Sequence, residues 1–460
     1  MKRVCFIVLL FVLLAFPSSV RADIAPPAQP PGSNPQPGAE VTQVRMAAET
    51  VVIEVQRDIT PESLGRARVS ADFTMQNLGA ADESMAVRFP ISASDGWGSY
   101  PEITNLQVKV NGKQVQHRRV TYPDENNPDN DIPWAEFDII FPAGQEVSVS
   151  VAYDLRGTGY YPFTAFYYIL ETGAGWKDTI GSADIILRLP YEASPQNIIL
   201  DFEIGWGTTT PGGVLQGNEV RWHFENFEPG QEQNMEFALV APAAWQGVLA
   251  ARESTSKNPN DGEAWGMLGK AYKQVFFMSK GYREDAAGLE LYRLSIEAYE
   301  KCLALKPEDA QWHAGFADLL AQHSMWRFTE INANPDTYRA LNEINTALEL
   351  APNDPVVREI ALGIRNMFNG SITLVGDKFD IPWLTQTPTP WPTLEPTVEE
   401  PTPTLGITPP PPTDTPPGEP TRTAAPETTP TPVPQRSNPL CGSAAFLPLM
   451  VMVWFVWKRR

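Results

Sequence analysis

Few residues in this chain stand at spacings that do chemistry. The four histidines, His117, His223, His313 and His323, form no HExxH pair that would put two imidazoles on one helix face for a metal. No GxSxG elbow, phosphate-cradling GxxxxGK[ST] loop or GxGxxG turn occurs. Cys302 is flanked by Leu303 and Ala304 on a helical face, with no reason to be a thiolate. Carboxylates are abundant, and a glycoside hydrolase needs only a facing pair of them. An exported hydrolase with such a pair therefore remains one alternative, while the chain as a whole reads as non-enzymatic, without a cofactor. The run Asp124-Glu125-Asn126-Asn127-Pro128-Asp129-Asn130-Asp131 is rich in the hard oxygen ligands that Ca²⁺ takes about six to eight at a time. It lacks the glycine and terminal glutamate of an EF-hand loop, so it reads first as an Asx-rich turn and only second as a calcium site. Gly173, Gly175, Trp176 and Gly181 admit a sugar-stacking platform or, more simply, a tryptophan packed over a tight glycine turn. Trp97, Trp134 and Trp206 share no spacing with it, so glycan binding by exposed aromatics such as Trp176 or Trp134 is the second alternative.

The elements that would position such residues fall into clear blocks. The net charge of −20 argues against nucleic acid, which is met by lysine and arginine stripes. Lys2-Arg3, an apolar run over residues 4–16 and small residues up to Ala22 have the form of a signal peptide, residues 1–22. The apolar run is shorter than the roughly 20 residues that span a bilayer. Cys302 and Cys441 then remain in segments of unlike type, so no disulfide framework is expected. After a proline-rich entry (23–40), residues 41–242 alternate apolar with polar, as in Val69, Ala71, Phe73 and Met75. Asn111-Gly112 supplies the pair with φ > 0 that a type I′ hairpin requires. The expectation is an all-β antiparallel sandwich region with Ig-like modules at 41–156 and 157–242, or one continuous sandwich.

Near Trp245 the period changes from two to about 3.6. Trp265, Leu268, Gly269 and Tyr272 spell W-x2-L-G-x2-Y, and Ser295, Tyr299, Cys302 and Pro307 follow at small, aromatic, small and proline positions. Ala340, Ile344, Ala347 and Pro352 repeat the second set, with Phe316 and Ala317 on the helix between. The region 243–370 thus resembles the tetratricopeptide-repeat (TPR) family, stacked helical hairpins in which small residues let paired helices approach. Its units exceed the family's roughly 34 residues through inserts near Phe276–Arg283 and Met325–Phe328, and a capping helix closes it. The resemblance implies a protein-binding groove on the first helices, here Glu263, Gly266, Lys270 and Lys273, then Gln311, Ala314 and Asp318. That set is not the basic and asparagine pattern with which some members hold a C-terminal carboxylate.

Residues 371–439 carry the densest proline and threonine of the chain and read as a disordered stalk. Residues 440–460 run from Cys441-Gly442-Ser443 through an apolar segment to Lys458-Arg459-Arg460. This is either a permanent transmembrane anchor with its basic end inside, or a segment resembling bacterial tripartite sorting signals, processed near Cys441 and Gly442. Together the blocks describe an exported, membrane-tethered cell-surface scaffold or adaptor. Its expected partners are other cell-envelope proteins and, through its C-terminus, the membrane.

Overall fold

Inward side chains at every second position build the first half of the molecule. Along Arg66–Asn77, Ala67, Val69, Ala71, Phe73 and Met75 are buried while their neighbours face outward. The computed structural model describes residues 35–380 apart from 39–40, 93–101, 125–126, 201–206, 279–280, 327–334, 369–372, 376–377. Its strands are β1 (Gln36–Pro37), β2 (Val44–Val55), β3 (Arg66–Asn77), β4 (Glu83–Pro90), β5 (Thr104–Val110), β6 (Lys113–Val115) and β7 (Arg118–Asp124). They continue with β8 (Asn127–Phe141), β9 (Glu146–Arg156), β10 (Phe163–Tyr168), β11 (Ile180–Arg188), β12 (Val214–Gln216), β13 (Glu219–Phe227) and β14 (Met235–Val240). An eight-stranded sheet in the order β12-β13-β11-β2-β3-β9-β5-β6 forms one layer. A four-stranded sheet, β1-β4-β8-β7, and the pair β10-β14 pack on it, through Phe89 against Tyr153 (5.5 Å) and Trp222 against Phe237 (5.3 Å).

Two expectations are corrected here. β11 runs parallel to β2, from Ala183 opposite Glu49 to Arg188 opposite Glu54, so the large sheet is mixed rather than antiparallel. Strands from both sides of Gly157 share that sheet, so a boundary at this residue would cut through it. Alternation marks which face is buried but not which way a neighbour runs. Gly157 is glycine because a Cβ there would lie 2.3 Å from Thr164 Oγ1 and 2.5 Å from the Leu64 carbonyl. The type I′ turn is present, with φ of 49° at Asn111 and 75° at Gly112 between β5 and β6. The acidic run is mostly hairpin: its residues 127–131 belong to β8, with Pro123 opposite Asp131 and Asp124 opposite Asn127.

Among the described residues six α-helices follow: α1 (Pro242–Lys257), α2 (Gly262–Phe276), α3 (Ala286–Leu305), α4 (Ala310–Trp326), α5 (Pro335–Leu350) and α6 (Pro355–Met367). Aspartates start three of them. Asp261 accepts from the amide of Glu263, Asp285 from that of Gly288, and Asp354 from those of Val356 and Val357. α2 pairs with α3 and α4 with α5, while α6 leans on α4. The first insert folds as a short hairpin, β15 (Phe277–Met278) with β16 (Gly281–Tyr282), and delivers the fully buried Arg283 to the β region. Most of the second insert lies outside the described residues.

Part of the segment expected as a stalk from residue 371 is strand. β17 (Thr373–Val375) and β18 (Lys378–Asp380) pair, and Asn345 on α5 grips β18, its amide donating to the Phe379 carbonyl (3.0 Å) and its oxygen accepting from the Phe379 amide (2.8 Å). The segments expected as signal peptide (1–22) and as the rest of the stalk, with Cys441 and Gly442, lie outside the described residues. Among those described, no helix is long and apolar enough to cross a membrane.

Candidate functional site

The helical region is held together by the close approach that small residues permit. A Cβ at Gly269 would come within 2.8 Å of the Tyr299 ring, which itself stacks on Phe316 at 5.3 Å. Ser295 Oγ donates to the Gly269 carbonyl (2.7 Å), locking α3 against α2. Cys302 and Ala347 have no exposed surface, and burial pushes the Cys302 thiol up to about 12. Pro307 and Pro352 follow the ends of α3 and α5, and their carbonyls accept from His313 Nε2 (2.9 Å) and from Arg358 (3.2 Å). A carbonyl only accepts, so His313 Nε2 carries a hydrogen. Its Nδ1 lies 2.6 Å from Glu343, and this bond raises the His313 pKa.

The face assigned to binding is largely filled from within. Lys273 pairs with Asp318 across α2 and α4, both side chains mostly buried. Glu263 accepts from Lys306 Nζ (2.7 Å) and from Trp312 Nε1 (3.0 Å), and Gln311 donates to Asp354 (3.0 Å). The Trp312 ring lies over Gly266, where a Cβ would meet it at 2.5 Å. Ala314 is buried, while Glu263, Lys270 and Gln311 stand exposed. Trp312 was missed in the sequence; the readable sign was glycine at a groove position, the residue type that admits a large ring overhead.

An open cavity of about 750 Å³ lies instead between α1, α2 and α3. Trp265, Leu268, Tyr272 and Leu294 line it, with Arg252, Glu297, Glu300 and Lys301 also on its walls. Trp265 is fixed by its Nε1, which donates to the Pro259 carbonyl (2.8 Å), and Lys301 Nζ sits 4.2 Å over its ring. Arg252 donates to Tyr272 Oη and to Gln196 Oε1, both at 2.8 Å, and its guanidinium lies 5.2 Å from the Trp245 and Tyr272 ring centres. Arg283 donates to the carbonyls of Pro195 (2.7 Å) and Gln196 (2.8 Å), so the loop that touches Arg252 is itself clamped. Sequence reading placed Trp265, Leu268 and Tyr272 in the packing core; the structure makes them a cavity wall too.

Other candidates are absorbed into packing. Trp134 and Trp176 are 4% and 5% exposed, and Trp176 Nε1 donates to the Pro35 carbonyl (2.7 Å), so neither presents a ring for sugar stacking. Trp97 and Trp206 lie outside the described residues. Glu136 accepts from Arg88, Arg118 and Tyr122, an ion network on the outer face of the four-stranded sheet. Asp336 accepts from Tyr292 Oη (2.8 Å) and meets His323 Nδ1 (2.8 Å), tying α3, α4 and α5 together. Among the described residues, no group of three or more His, Cys, Asp or Glu side chains is placed to hold a metal.

The chain matches no protein-family model and no curated protein. Among solved structures, it is similar to a "putative nutrient binding protein" of Legionella pneumophila at 17% identity and a TM-score of 0.39, covering 58% of this chain and 98% of that one. It is also similar to an M1 zinc metallopeptidase of Deinococcus radiodurans at 8% identity and a TM-score of 0.25, over 43% of this chain and 42% of that one. At such TM-scores and identities these likenesses carry no argument about fold or activity.

Proposed function

We propose that this chain is a non-enzymatic cell-surface adaptor, exported by residues 1–22 and tethered through the proline- and threonine-rich stalk and residues 440–460. Its helical module binds another cell-envelope protein, and the β region holds that module in place. The observation that supports this reading is the cavity between α1, α2 and α3, apolar and aromatic on its floor and polar at its rim. Its volume lies in the range of pockets that accept a ligand or a few side chains, and aromatic anchors with a polar rim are the usual make-up of a protein-binding surface. Nothing reactive converges on it: Cys302 is buried, and its thiol is held neutral by burial. The binding role thus moves from the TPR-like groove, much of it occupied by Trp312 and the Lys273–Asp318 pair, to the opposite side of α2.

The test uses the full chain on intact cells with a photo-crosslinking residue at Ser256 or Ala304 beside the cavity, or at the exposed Gln107 of β5. Mass spectrometry is expected to find one envelope protein joined to the first two positions and absent from the third. Adducts formed from Gln107 alone would shift binding to the β region and overturn the reading.

A further inference from the structure

The charges around the cavity are unevenly answered. Glu297 pairs with Arg293, and Glu300 accepts from Arg339 (2.7 Å), so both carboxylates at the rim already face cations of their own. The two cations are different. Arg252 is bonded to the neutral groups Tyr272 Oη and Gln196 Oε1, and Lys301 rests over the Trp265 ring. Among the described residues neither forms an ion pair with a carboxylate. In a chain of net charge −20 this is a local positive site set against an apolar floor. A cation over an aromatic face has shed part of its water on that side, and its open side is left to attract an anion.

We propose that the cavity takes an acidic segment of a partner protein: an apolar side chain against Trp265, Leu268 and Leu294, and a carboxylate between Arg252 and Lys301. This rests on the adaptor reading and adds the chemistry of the partner. An apolar anchor supplies affinity by burial, and a carboxylate at the rim supplies selectivity over neutral and basic segments. The overall acidity of the chain sharpens the choice, because a segment carrying several negative charges meets a net repulsion that only local cations offset.

The experiment is a selection from a random nonapeptide library on the full chain in detergent. Enriched sequences are expected to place Asp or Glu within two residues of Leu, Phe or Trp. Their binding should weaken about tenfold in Lys301→Met, which keeps the stem over Trp265 but removes the charge; Lys301→Arg should preserve it. Binding should also fall with added salt, as charge pairs at a partly exposed rim do. An unchanged melting temperature of Lys301→Met shows that the site and not the fold is being read. Enriched sequences without acidic residues, full affinity in Lys301→Met, or no enrichment at all would each overturn the proposal. Enrichment of the chain's own Thr397-Val398-Glu399-Glu400-Pro401 would hand the cavity to its own tail, and overturns a separate partner. If Ala304 adducts persist on cells while the acidic preference fails, the adaptor reading stands and this inference falls; if the adducts are lost, the adaptor reading falls with it.

Discussion

Arg283 is a charged side chain with no exposed surface, a state tolerated when its donors are answered. They are: two go to the carbonyls of Pro195 and Gln196, and two to the Asp285 carboxylate, at 2.6 and 3.0 Å. Arg283→Met keeps the stem but leaves those acceptors unanswered. It is expected to cost roughly 3–5 kcal/mol in denaturant unfolding, the scale of breaking a buried ion pair from one side. A variant as stable as the parent would mean that the residue merely fills space. Cys302 is the converse case, a small apolar group in a closed seam. Cys302→Ala should be mild, whereas Cys302→Leu should overpack the seam by about 1–3 kcal/mol. Cys302 should react slowly with thiol reagents in native protein and quickly in unfolded protein, since burial both hides the sulfur and pushes its pKa up to about 12. Cys302 was readable in the sequence because its position in the helical spacing already implies a small residue. Arg283 was not, because its partners are backbone carbonyls far upstream that no side-chain pattern announces.

Between elements, the link from α4 to α5 through His313 and Glu343 carries a pH signature. The Glu343 bond raises the native pKa of His313 above its ordinary 6.5, so its contribution to stability is complete below that value. It is lost as pH rises through the raised native pKa. Melting curves should therefore show His313→Gln furthest below the parent in mild acid and level with it in alkali; a constant gap across that range would disprove the link. The hairpin β17–β18 seals the far end of the bundle, where Phe379 is 6% exposed and held by Asn345. Phe379→Ala should cost about 3 kcal/mol in the same assay. Much at this scale was legible: helix order, the hairpin pairing and the turn at Asn111-Gly112 follow from period, capping residues and glycine. The parallel partnership of β2 with β11 was not, because alternation is blind to direction. The expected groove face was only partly legible, since spacing shows which residues share a helix face but not that Trp312 of α4 lies over Gly266.

For the molecule as a whole, the buried apolar residues form one connected cluster running from β2 to α6, joined where Trp245 meets Tyr191 at 6.4 Å. Calorimetry of the parent should show the β and helical regions unfolding in one transition, and Arg283→Met should begin to separate it into two. Two clear transitions in the parent would show that the clamp is incidental. The sheet order bears on how such a chain is made. β2 is among the first strands to emerge, and it meets β3 on one side almost at once. Its other side belongs to β11, which arrives only after seven further strands have appeared. Until then an apolar strand near the start of the chain keeps an unpaired edge, open to any passing strand from another nascent chain. The interval between those two moments of synthesis, rather than the strength of the finished sheet, is when this protein is most exposed to misassembly.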